Sequence, residues 1–323
     1  MSDPIFLYND PHPVHERMAN EIGAEFVECS KGGPLDRLRS GISHDFGNRP
    51  VLIEGGVPLL EAGFLGIVDK SGAIIELAAD GSLIDIADPI SGRPFHERLA
   101  HRFGERYVDG TLAVSDYLAA YARQYDRPVE VIHPFVESER YGRLHSLEPG
   151  GDEETILCIG KYRRKNGQDV LRKAMESLDQ NLTAHFVGPD TENIAETEEV
   201  KPHGFVELEK FYDLMEQAEL IVYPAHVGAY PVAVLEALLS GTPVLTSQYV
   251  GNVDLVRAVH PEFVTEPIPS SVAERIKSVR RRNLAADGQR AKVIAEQFTD
   301  ECYTLDFEKR FNEVLARIRE NQR

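Results

Sequence analysis

A cationic loop follows an apolar run in the second half of the chain. The stretch is "CIGKYRRKNGQD", residues 158–169, in which Gly160 ends the apolar run. Its basic residues are Lys161, Arg163, Arg164 and Lys165. A loop between a strand and a helix suits a phosphate, because helix N–H groups and positive side chains both favour negative charge. A solvated basic turn has the same composition, so on the loop alone both interpretations stay open.

One carboxylate lies in the otherwise apolar helix of "GAYPVAVLEALLSGTPVLTS", residues 228–247. Pro231 is well tolerated near a helix N-terminus, and the backbone N–H groups that follow, at Val232, Ala233 and Val234, would be free to hold a phosphate. Glu236, one turn further on, can accept hydrogen bonds from two vicinal hydroxyls, as on a ribose. The alternative is a Glu placed favourably near a helix start, which is worth only about 0.3–1 kcal/mol. The flanking apolar residues leave little solvent around Glu236 and favour the functional interpretation.

Two further glycines lie beside strand-like segments. Gly188 follows "AHFV", and Gly204 lies in "HGFV". Glycine permits a close approach of the backbone to a ligand, and Phe205 and Val206 could offer backbone groups to a base edge. Turn chemistry explains both glycines equally well, and for these glycines alone it is the simpler account.

These residues are positioned by an alternation of strand-like and helical segments. In the first half the strand-like runs are "PIFLY", "EFVECS", "RPVLIEGG", "GAIIELAAD", "GTLAVS" and "VEVIHPFV". Helical patterns separate several of them, which predicts an α/β fold with a parallel sheet. Residues 138–154 are polar and contain Pro-Gly-Gly, a composition typical of a linker. The alternation then restarts, so we expect two such domains with a ligand between them at the carboxyl ends of the strands.

Composition narrows the class of protein. The chain has 323 residues, 42% hydrophobic and 27% charged residues, and a net charge of −18. Such an acidic protein is a poor general binder of nucleic acid or of anionic lipid. The three cysteines (Cys29, Cys158 and Cys302) are scattered, which favours reduced thiols in a cytoplasmic protein. We find no signal peptide and no run of the roughly 18 apolar residues that a membrane span needs.

The order of these motifs resembles the carboxyl-terminal domain of retaining glycosyltransferases of family four, the glycosyl transferases group 1. The resemblance covers residues 155–256 in sequence order, and it is weaker over 107–136 and in "HPVHERMANEIGAEFVEC". It implies the GT-B fold: two Rossmann-like parallel-sheet domains facing across a cleft, with a C-terminal helix that crosses back to the N-terminal domain. The implied boundaries are 1–145 for the acceptor-side domain, 146–300 for the nucleotide-sugar-binding domain and 301–323 for the helix.

The resemblance also implies roles for single residues. Lys161 stands where the family usually has an Arg that holds the donor diphosphate, and Lys165 stands for its phosphate-binding Lys. Glu236 matches the second Glu of a Glu-x(7)-Glu pair, which binds the nucleotide ribose. Other donor-binding positions are the strand end at Gly160, the base segment at Phe205 and Val206, and the helix start at Pro231, Val232, Ala233 and Val234. Val250, Gly251 and Asp254 fall where the family has Gly-Gly and then an acid.

The chain also departs from the family pattern. Gly228 replaces the first Glu of the pair, which in the family contacts the donor sugar, and His226 could partly substitute for it. "DPHPVHER" stands in place of an N-terminal Gly-Gly loop, and Ala79 and Asp80 stand in place of the family's N-domain His. Asp80, together with His12 or His15, is therefore our candidate near the reacting centre.

The leading hypothesis is a metal-independent retaining glycosyltransferase that moves a sugar from a nucleoside-diphosphate sugar to a hydroxyl acceptor. Lys161 and Lys165 would replace a metal ion, no Asp-x-Asp motif is present, and no cofactor is expected. Two alternatives stay open: a catalytically degenerate nucleotide-sugar-binding protein, and a GT-B-fold nucleotide-sugar epimerase. The expected acceptor is a glycan, a lipid-linked sugar or a small molecule. The apolar residues 59–68 are compatible with contact at the inner face of the membrane and equally with a buried strand-helix segment.

Overall fold

The structure is a computed structural model, and it describes residues 3–11, 13–68, 72–87, 93–178 and 181–321. The chain divides into two compact units: residues 1–135 with 300–323, and residues 136–299. In this division the second unit begins at residue 136, and the predicted domain boundaries at 145 and 300 stay a prediction.

The first unit alternates strands and helices along the chain. Its strands are β1 (Ile5–Tyr8), β2 (Glu25–Glu28), β3 (Val51–Glu54), β4 (Ile74–Ala78), β5 (Gly110–Ala113) and β6 (Val129–Val131). Its helices are α1 (Pro13–Glu21), α2 (Pro34–Ser43), α3 (Val57–Val68), α4 (Ser82–Ala87), α5 (Phe95–Gly104) and α6 (Asp116–Ala122). The strands pair in parallel in the order β2-β1-β3-β4-β5-β6. Strands such as "IFLY" and "IIELA" are apolar along most of their length because helices cover both faces of such a sheet.

Helix α3 contains the apolar segment 59–68. Its buried side chains include Leu59, Leu60, Ala62 and Leu65, and they lie in the core of the first unit. The structure thus favours the second of the two interpretations, a buried segment, over contact with the membrane. Among the described helices none has the length and apolarity to cross a bilayer.

The second unit repeats the alternation. Its strands are β7 (Asp152–Ile159), β8 (Thr183–Val187), β9 (Val200–Gly204), β10 (Ala218–Tyr223), β11 (Val244–Ser247) and β12 (Val264–Thr265). Its helices are α7 (Ser138–His145), α8 (Gln168–Met175), α9 (Leu208–Gln217), α10 (Val232–Ser240), α11 (Val253–Val259), α12 (Pro269–Val279) and α13 (Leu284–Ala295). The strands pair in parallel in the order β12-β11-β10-β7-β8-β9. The predicted α/β class is thus confirmed in both units.

The linker predicted over residues 138–154 is wrong. Helix α7 occupies residues 138–145, and β7 begins at Asp152. The segment is polar because α7 is a short helix that buries few of its side chains, among them Leu144. Composition alone therefore hid an element that packs against α10.

The C-terminal helix α14 (Asp300–Asn321) belongs to the first unit, where it packs against α1, β5 and β6. Its predicted apolar face is confirmed, because the following side chains are all buried: Phe307, Phe311, Val314, Leu315 and Ile318.

Candidate functional site

The strand order of the second sheet reverses next to β7. The chain runs outward from β7 to β8 and β9, then crosses to β10 and continues outward through β11 to β12. Open parallel sheets bind ligands in the crevice outside the carboxyl ends of their strands at such a reversal. The loops that leave β7 and β10 there are residues 160–167 and 224–231, which carry the predicted phosphate-binding residues.

The ends of β7 and β8 meet through two glycines. Gly160 has φ +129° and Gly188 has φ +134°, which is backbone that L-residues rarely adopt. A Cβ atom added to Gly188 would lie 2.6 Å from the carbonyl carbon and oxygen of Gly160. The close approach of the two strand ends therefore excludes a side chain at Gly188, whereas Gly160 has room for a Cβ and is restricted by its φ alone.

Buried polar side chains hold the cationic loop from beneath. The side-chain amide of Gln168 donates to the carbonyl oxygens of Gly160 at 3.1 Å and of Lys161 at 2.9 Å. The Asn166 amide donates to the same Lys161 oxygen at 2.8 Å, and the Tyr223 hydroxyl donates to Asn166 Oδ1 at 3.4 Å. Burial raises the pKa of Tyr223, so its hydroxyl remains a donor. These three supporting residues belong to no recognisable motif, so the sequence analysis did not predict their role.

The two loops at the strand reversal are joined through Lys165. Its carbonyl oxygen accepts hydrogen bonds from the backbone N–H groups of His226 at 2.8 Å and Val227 at 3.3 Å. The structure therefore brings the backbone of His226 beside the cationic loop, and its role as a substitute for the first Glu stays a prediction. Lys161 Nζ lies 3.2 Å from Asp190 Oδ2, with both side chains about half exposed. An ion pair that exposed contributes little, so Lys161 can exchange Asp190 for a ligand.

Helix α10 begins where the sequence predicts. Pro231 is its N-cap and Val232 its first residue, and Pro231, Val232 and Ala233 are partly exposed while Val234 is buried. The side chain of Asn252 donates to the Pro231 carbonyl at 2.9 Å. The Val234 N–H donates to the same Pro231 carbonyl at 3.0 Å, so the prediction that it is free is wrong. The N–H groups of Val232 and Ala233, which have no intrahelical acceptor, can bind an anion.

Gly228 is held in a short parallel bridge with Val250. Its N–H donates to the Tyr249 carbonyl at 3.0 Å, and its carbonyl accepts from the Gly251 N–H at 2.9 Å. A Cβ at this position would lie 2.8 Å from Pro231 Cγ. A Glu at this position would therefore require the Pro231 ring or the bridge to shift. The family-matched acid Asp254 instead lies exposed and pairs with Arg257.

Glu236 is 7% exposed and forms an ion pair with Arg140 of α7, whose Nε donates to Glu236 Oε1. Burial raises the pKa of Glu236, and the positive charge of Arg140 opposes that rise. The Arg140 guanidinium also lies over the ring of Phe211, 5.4 Å from its centroid. Sequence reasoning missed Arg140 because it treated the segment as a linker. The acidic start and basic end of "ESERYGRLH" were the available helix signal.

Phe205 and Val206 follow β9 at the carboxyl edge of the same sheet. Gly204, which precedes them with φ +68°, is paired in register with Val187 at the end of β8. Phe205 is 75% exposed, an unusual state for a large aromatic side chain. Its ring is thus available for a planar ligand, and the base-binding role of both residues stays a prediction.

In the first unit the strand order reverses between β1 and β3, and two candidates lie at that edge. Asp80 accepts hydrogen bonds at 2.8 Å from both the N–H and the hydroxyl of Ser82. Burial acts to raise the pKa of Asp80, but the Arg93 guanidinium and the Ser82 bonds hold that pKa below its usual value. His15 pairs through Nδ1 with Glu54 at the end of β3, a partner the sequence did not reveal. His12 lies outside the described residues.

Comparison with known proteins agrees with this architecture. Residues 145–295 match the family model of the glycosyl transferases group 1, which spans most of the second unit. The match thus lies almost wholly within the second unit, and the two parallel-sheet units have the architecture of the GT-B fold, as the sequence resemblance predicted.

Particular relatives agree with the match. TuaC of Bacillus subtilis strain 168, named as a putative glycosyltransferase of teichuronic acid biosynthesis, is 29% identical over 119 residues, which are 36% of this chain and 30% of TuaC. Thus less than a third of that relative is aligned.

Solved structures cover nearly the whole chain. HepE of Anabaena, in complex with UDP and glucose, has a TM-score of 0.70 at 14% identity, covering 97% of this chain and 99% of its own. The sucrose-phosphate synthase of Thermosynechococcus elongatus has a TM-score of 0.70 at 15% identity, covering 96% and 89% of the two chains. At such identities the likeness shows the fold alone.

Proposed function

We propose that this protein is a glycosyltransferase that takes a sugar from a nucleoside-diphosphate sugar and attaches it to a hydroxyl acceptor with retention of configuration. The observation that carries the proposal is the strand reversal between β7 and β10. There the side chain of Gln168 supports the cationic loop from beneath. The backbone of the same loop is hydrogen-bonded to the segment that leads into the N-terminus of α10. The group 1 family match over this unit and the UDP complex of the structurally similar HepE support it.

In the proposed reaction the acceptor oxygen bonds to the anomeric carbon as the bond from that carbon to the diphosphate breaks. Retention requires the new bond on the face from which the diphosphate departs, and the acceptor proton leaves with the departing diphosphate. Lys161, Lys165 and the first N–H groups of α10 stabilise the growing negative charge of the leaving group, an interaction that is strongest in the transition state. Glu236 binds the ribose.

We also propose that the reaction needs neither metal nor cofactor, because fixed cations can supply the charge that a metal ion supplies elsewhere. Among the described residues no cluster of three or more His, Cys, Asp and Glu has the arrangement to hold a metal. Transfer activity should therefore persist in excess EDTA. Activity that EDTA abolishes and Mg²⁺ or Mn²⁺ restores would contradict this part of the proposal.

The first experiment is a thermal-shift screen against UDP, ADP, GDP and CDP, followed by transfer assays with the corresponding nucleotide sugars and a panel of acceptors. Specific binding raises the midpoint, because a ligand that binds only the folded state stabilises it. Lys165→Met should weaken diphosphate binding about tenfold, as expected for losing a charged hydrogen-bond donor. Lys201→Met is the matched control: Lys201 is a lysine of the same unit, on β9, that pairs with Glu196.

The outcomes separate the hypotheses. Failure to bind any nucleoside diphosphate or nucleotide sugar would refute the proposed function. NMR of the product distinguishes retention from inversion at the anomeric carbon and identifies an epimerised sugar.

A second candidate, a nucleotide-sugar-binding protein without transferase activity, is favoured by one observation. Position 228 lacks the family's sugar-contacting carboxylate, and the close Pro231 ring prevents a simple replacement. This candidate predicts tight binding without turnover for every acceptor. A measurable transfer rate that Lys165→Met reduces would eliminate it.

A further inference from the structure

A buried ion pair joins α7 to α10 in the second unit. The Glu236 side chain is 9% exposed, whereas that of its partner Arg140 is 34% exposed. The bond from Arg140 Nε engages Oε1 of Glu236, so Oε2 is the oxygen left for a ligand. The pair therefore has one enclosed end, the carboxylate, and one end that reaches toward solvent.

Arg140 offsets part of the cost of enclosing this carboxylate: burial still raises the pKa of Glu236, and the charge and hydrogen bond of Arg140 limit that rise. A buried carboxyl that loses its partner takes up a proton more readily, because burial penalises its charged form. Protonation matters for the ligand as well as for the fold. A carboxylate offers only acceptor sites, whereas a protonated carboxyl replaces one of them with a donor. Two vicinal hydroxyls that donate to Glu236 are therefore bound more strongly by its ionised form.

One direct contact and a tie between three helices hold Arg140 in place. Its guanidinium stacks over Phe211 of α9. The Lys292 ammonium of α13 donates at 2.8 Å to each of the carbonyls of His145 and Leu147, at the end of α7. The Lys292 side chain passes the end of α10 at Gly241, where a Cβ would lie 2.5 Å from Lys292 Cε. Helices α7, α10 and α13 are thereby tied together, so Arg140 is delivered to Glu236 by fixed helices.

Few other titratable groups act on this pair. From α9, the phenol of Tyr212 lies close enough to be influenced by both Arg140 and Glu236, and burial raises its pKa, so that it stays neutral. Glu137, just before α7, acts on Arg140. From α13, Lys292 is engaged with the two carbonyls. Among charged groups, Arg140 is thus the one that acts most on the charge state of Glu236, and it acts against burial.

We propose that Arg140 is a positioning residue for nucleotide recognition: it keeps Glu236 ionised and oriented, so that Oε2 selects ligands carrying the vicinal hydroxyls of a ribose. This rests on the proposed function, since it names how that site recognises its donor. Arg140 itself acts through Glu236 and leaves the diphosphate to the cationic loop.

The test compares the affinity for UDP, ADP and GDP with that for the 2′,3′-dideoxy form of each, by calorimetry at pH 6.0 and at pH 8.5. The wild type should prefer the ribose form about tenfold or more, the change expected for hydrogen bonds to a charged group. Arg140→Met should lose most of that preference at pH 6.0 and recover part of it at pH 8.5. If Arg140 had only a structural role, Arg140→Met would lower the affinity for the ribose and the dideoxy forms equally.

Matched variants complete the design. Arg143→Met is the control, because Arg143 lies on the same helix and stacks on Tyr212 but pairs with the exposed Glu209; it should keep the preference. Arg140→Lys keeps a positive charge and should keep the preference at pH 8.5, which preserves the test if Arg140→Met fails to fold. Glu236→Gln should lose the preference at both pH values.

Failure of the inference and failure of the proposed function look different. If the wild type binds none of the diphosphates, the proposed function fails. If it binds them but Arg140→Met keeps the ribose preference at both pH values, or if the wild type shows no such preference, the inference is overturned while nucleotide binding stands.

Discussion

Substituting Gly188 by alanine should damage both the second unit and its nucleotide site. The backbone there has φ +134°, and the new Cβ would lie 2.6 Å from the carbonyl of Gly160. Backbone strain of this kind costs about 1–3 kcal/mol, and overpacking adds about 1–3 kcal/mol. The expected loss in the free energy of unfolding is therefore about 2–6 kcal/mol. Relief of the overlap would displace Gly160 and with it the cationic loop.

Gly150→Ala separates the two costs. Gly150 has φ +94° in the same unit, but no atom lies within 4 Å of the position that a Cβ would take, so this substitution imposes strain without overlap. Urea unfolding can be followed by circular dichroism, which suits a chain without tryptophan. Hydrogen exchange of peptides covering residues 155–190 assigns the loss to β7 and β8. UDP affinity should fall for Gly188→Ala and stay unchanged for Gly150→Ala.

The reasoning would be refuted if Gly188→Ala unfolded at the wild-type urea concentration, or if Gly150→Ala cost as much as Gly188→Ala. The first result would mean that the strand ends relax freely. The second would mean that the φ strain alone decides the stability and that the contact between the glycines contributes nothing.

Three further outcomes are expected. Gly228→Glu, which restores the family's carboxylate, should weaken nucleotide binding in calorimetry, because its Cβ collides with Pro231 at the start of α10; tighter binding would contradict the packing account. Glu61→Gln should lower the unfolding free energy by about 1–3 kcal/mol in urea titrations, because this buried carboxylate accepts a 2.7 Å bond from His44; an unchanged midpoint would count against it. Asp80 has a lowered pKa, so it stabilises the folded state above its unfolded pKa and that contribution disappears as the pH falls through the folded value. Asp80→Asn should therefore flatten the acid limb of the stability profile below about pH 4, and a profile identical to that of the wild type would exclude this role.

Local patterns in the sequence were enough for much of the fold. Residues 301–321 repeat apolar side chains at helical spacing, and the structure buries that face. The start of α10 follows from Pro231, because proline is tolerated at a helix start and fixes φ there. Residues 138–145 failed this kind of reasoning, because a short polar helix bears too few apolar side chains to show a period.

Contacts between buried polar side chains could not be predicted from the sequence. Arg127 pairs with Glu105 at 2.7 Å and with Glu76 at 3.3 Å in the first unit, and burial raises the pKa of Glu76 well above its usual value. These three residues come from distant parts of the chain and read as ordinary surface charges. A buried charge must find a partner, but which partner it finds depends on how β4 and the segments around it pack.

By itself the sequence determined the α/β alternation, the cationic loop after Gly160 and the helix that carries Glu236. Each of these depends on side chains that are neighbours along the chain, through hydrophobic period, turn chemistry or helix-end preference. The tertiary structure alone decided the strand reversal that joins the loops after β7 and β10, and it alone paired Glu236 with Arg140, 96 positions away. The physical reason is that strand order and charge compensation are settled by burial between distant elements, which leaves no local trace in the sequence.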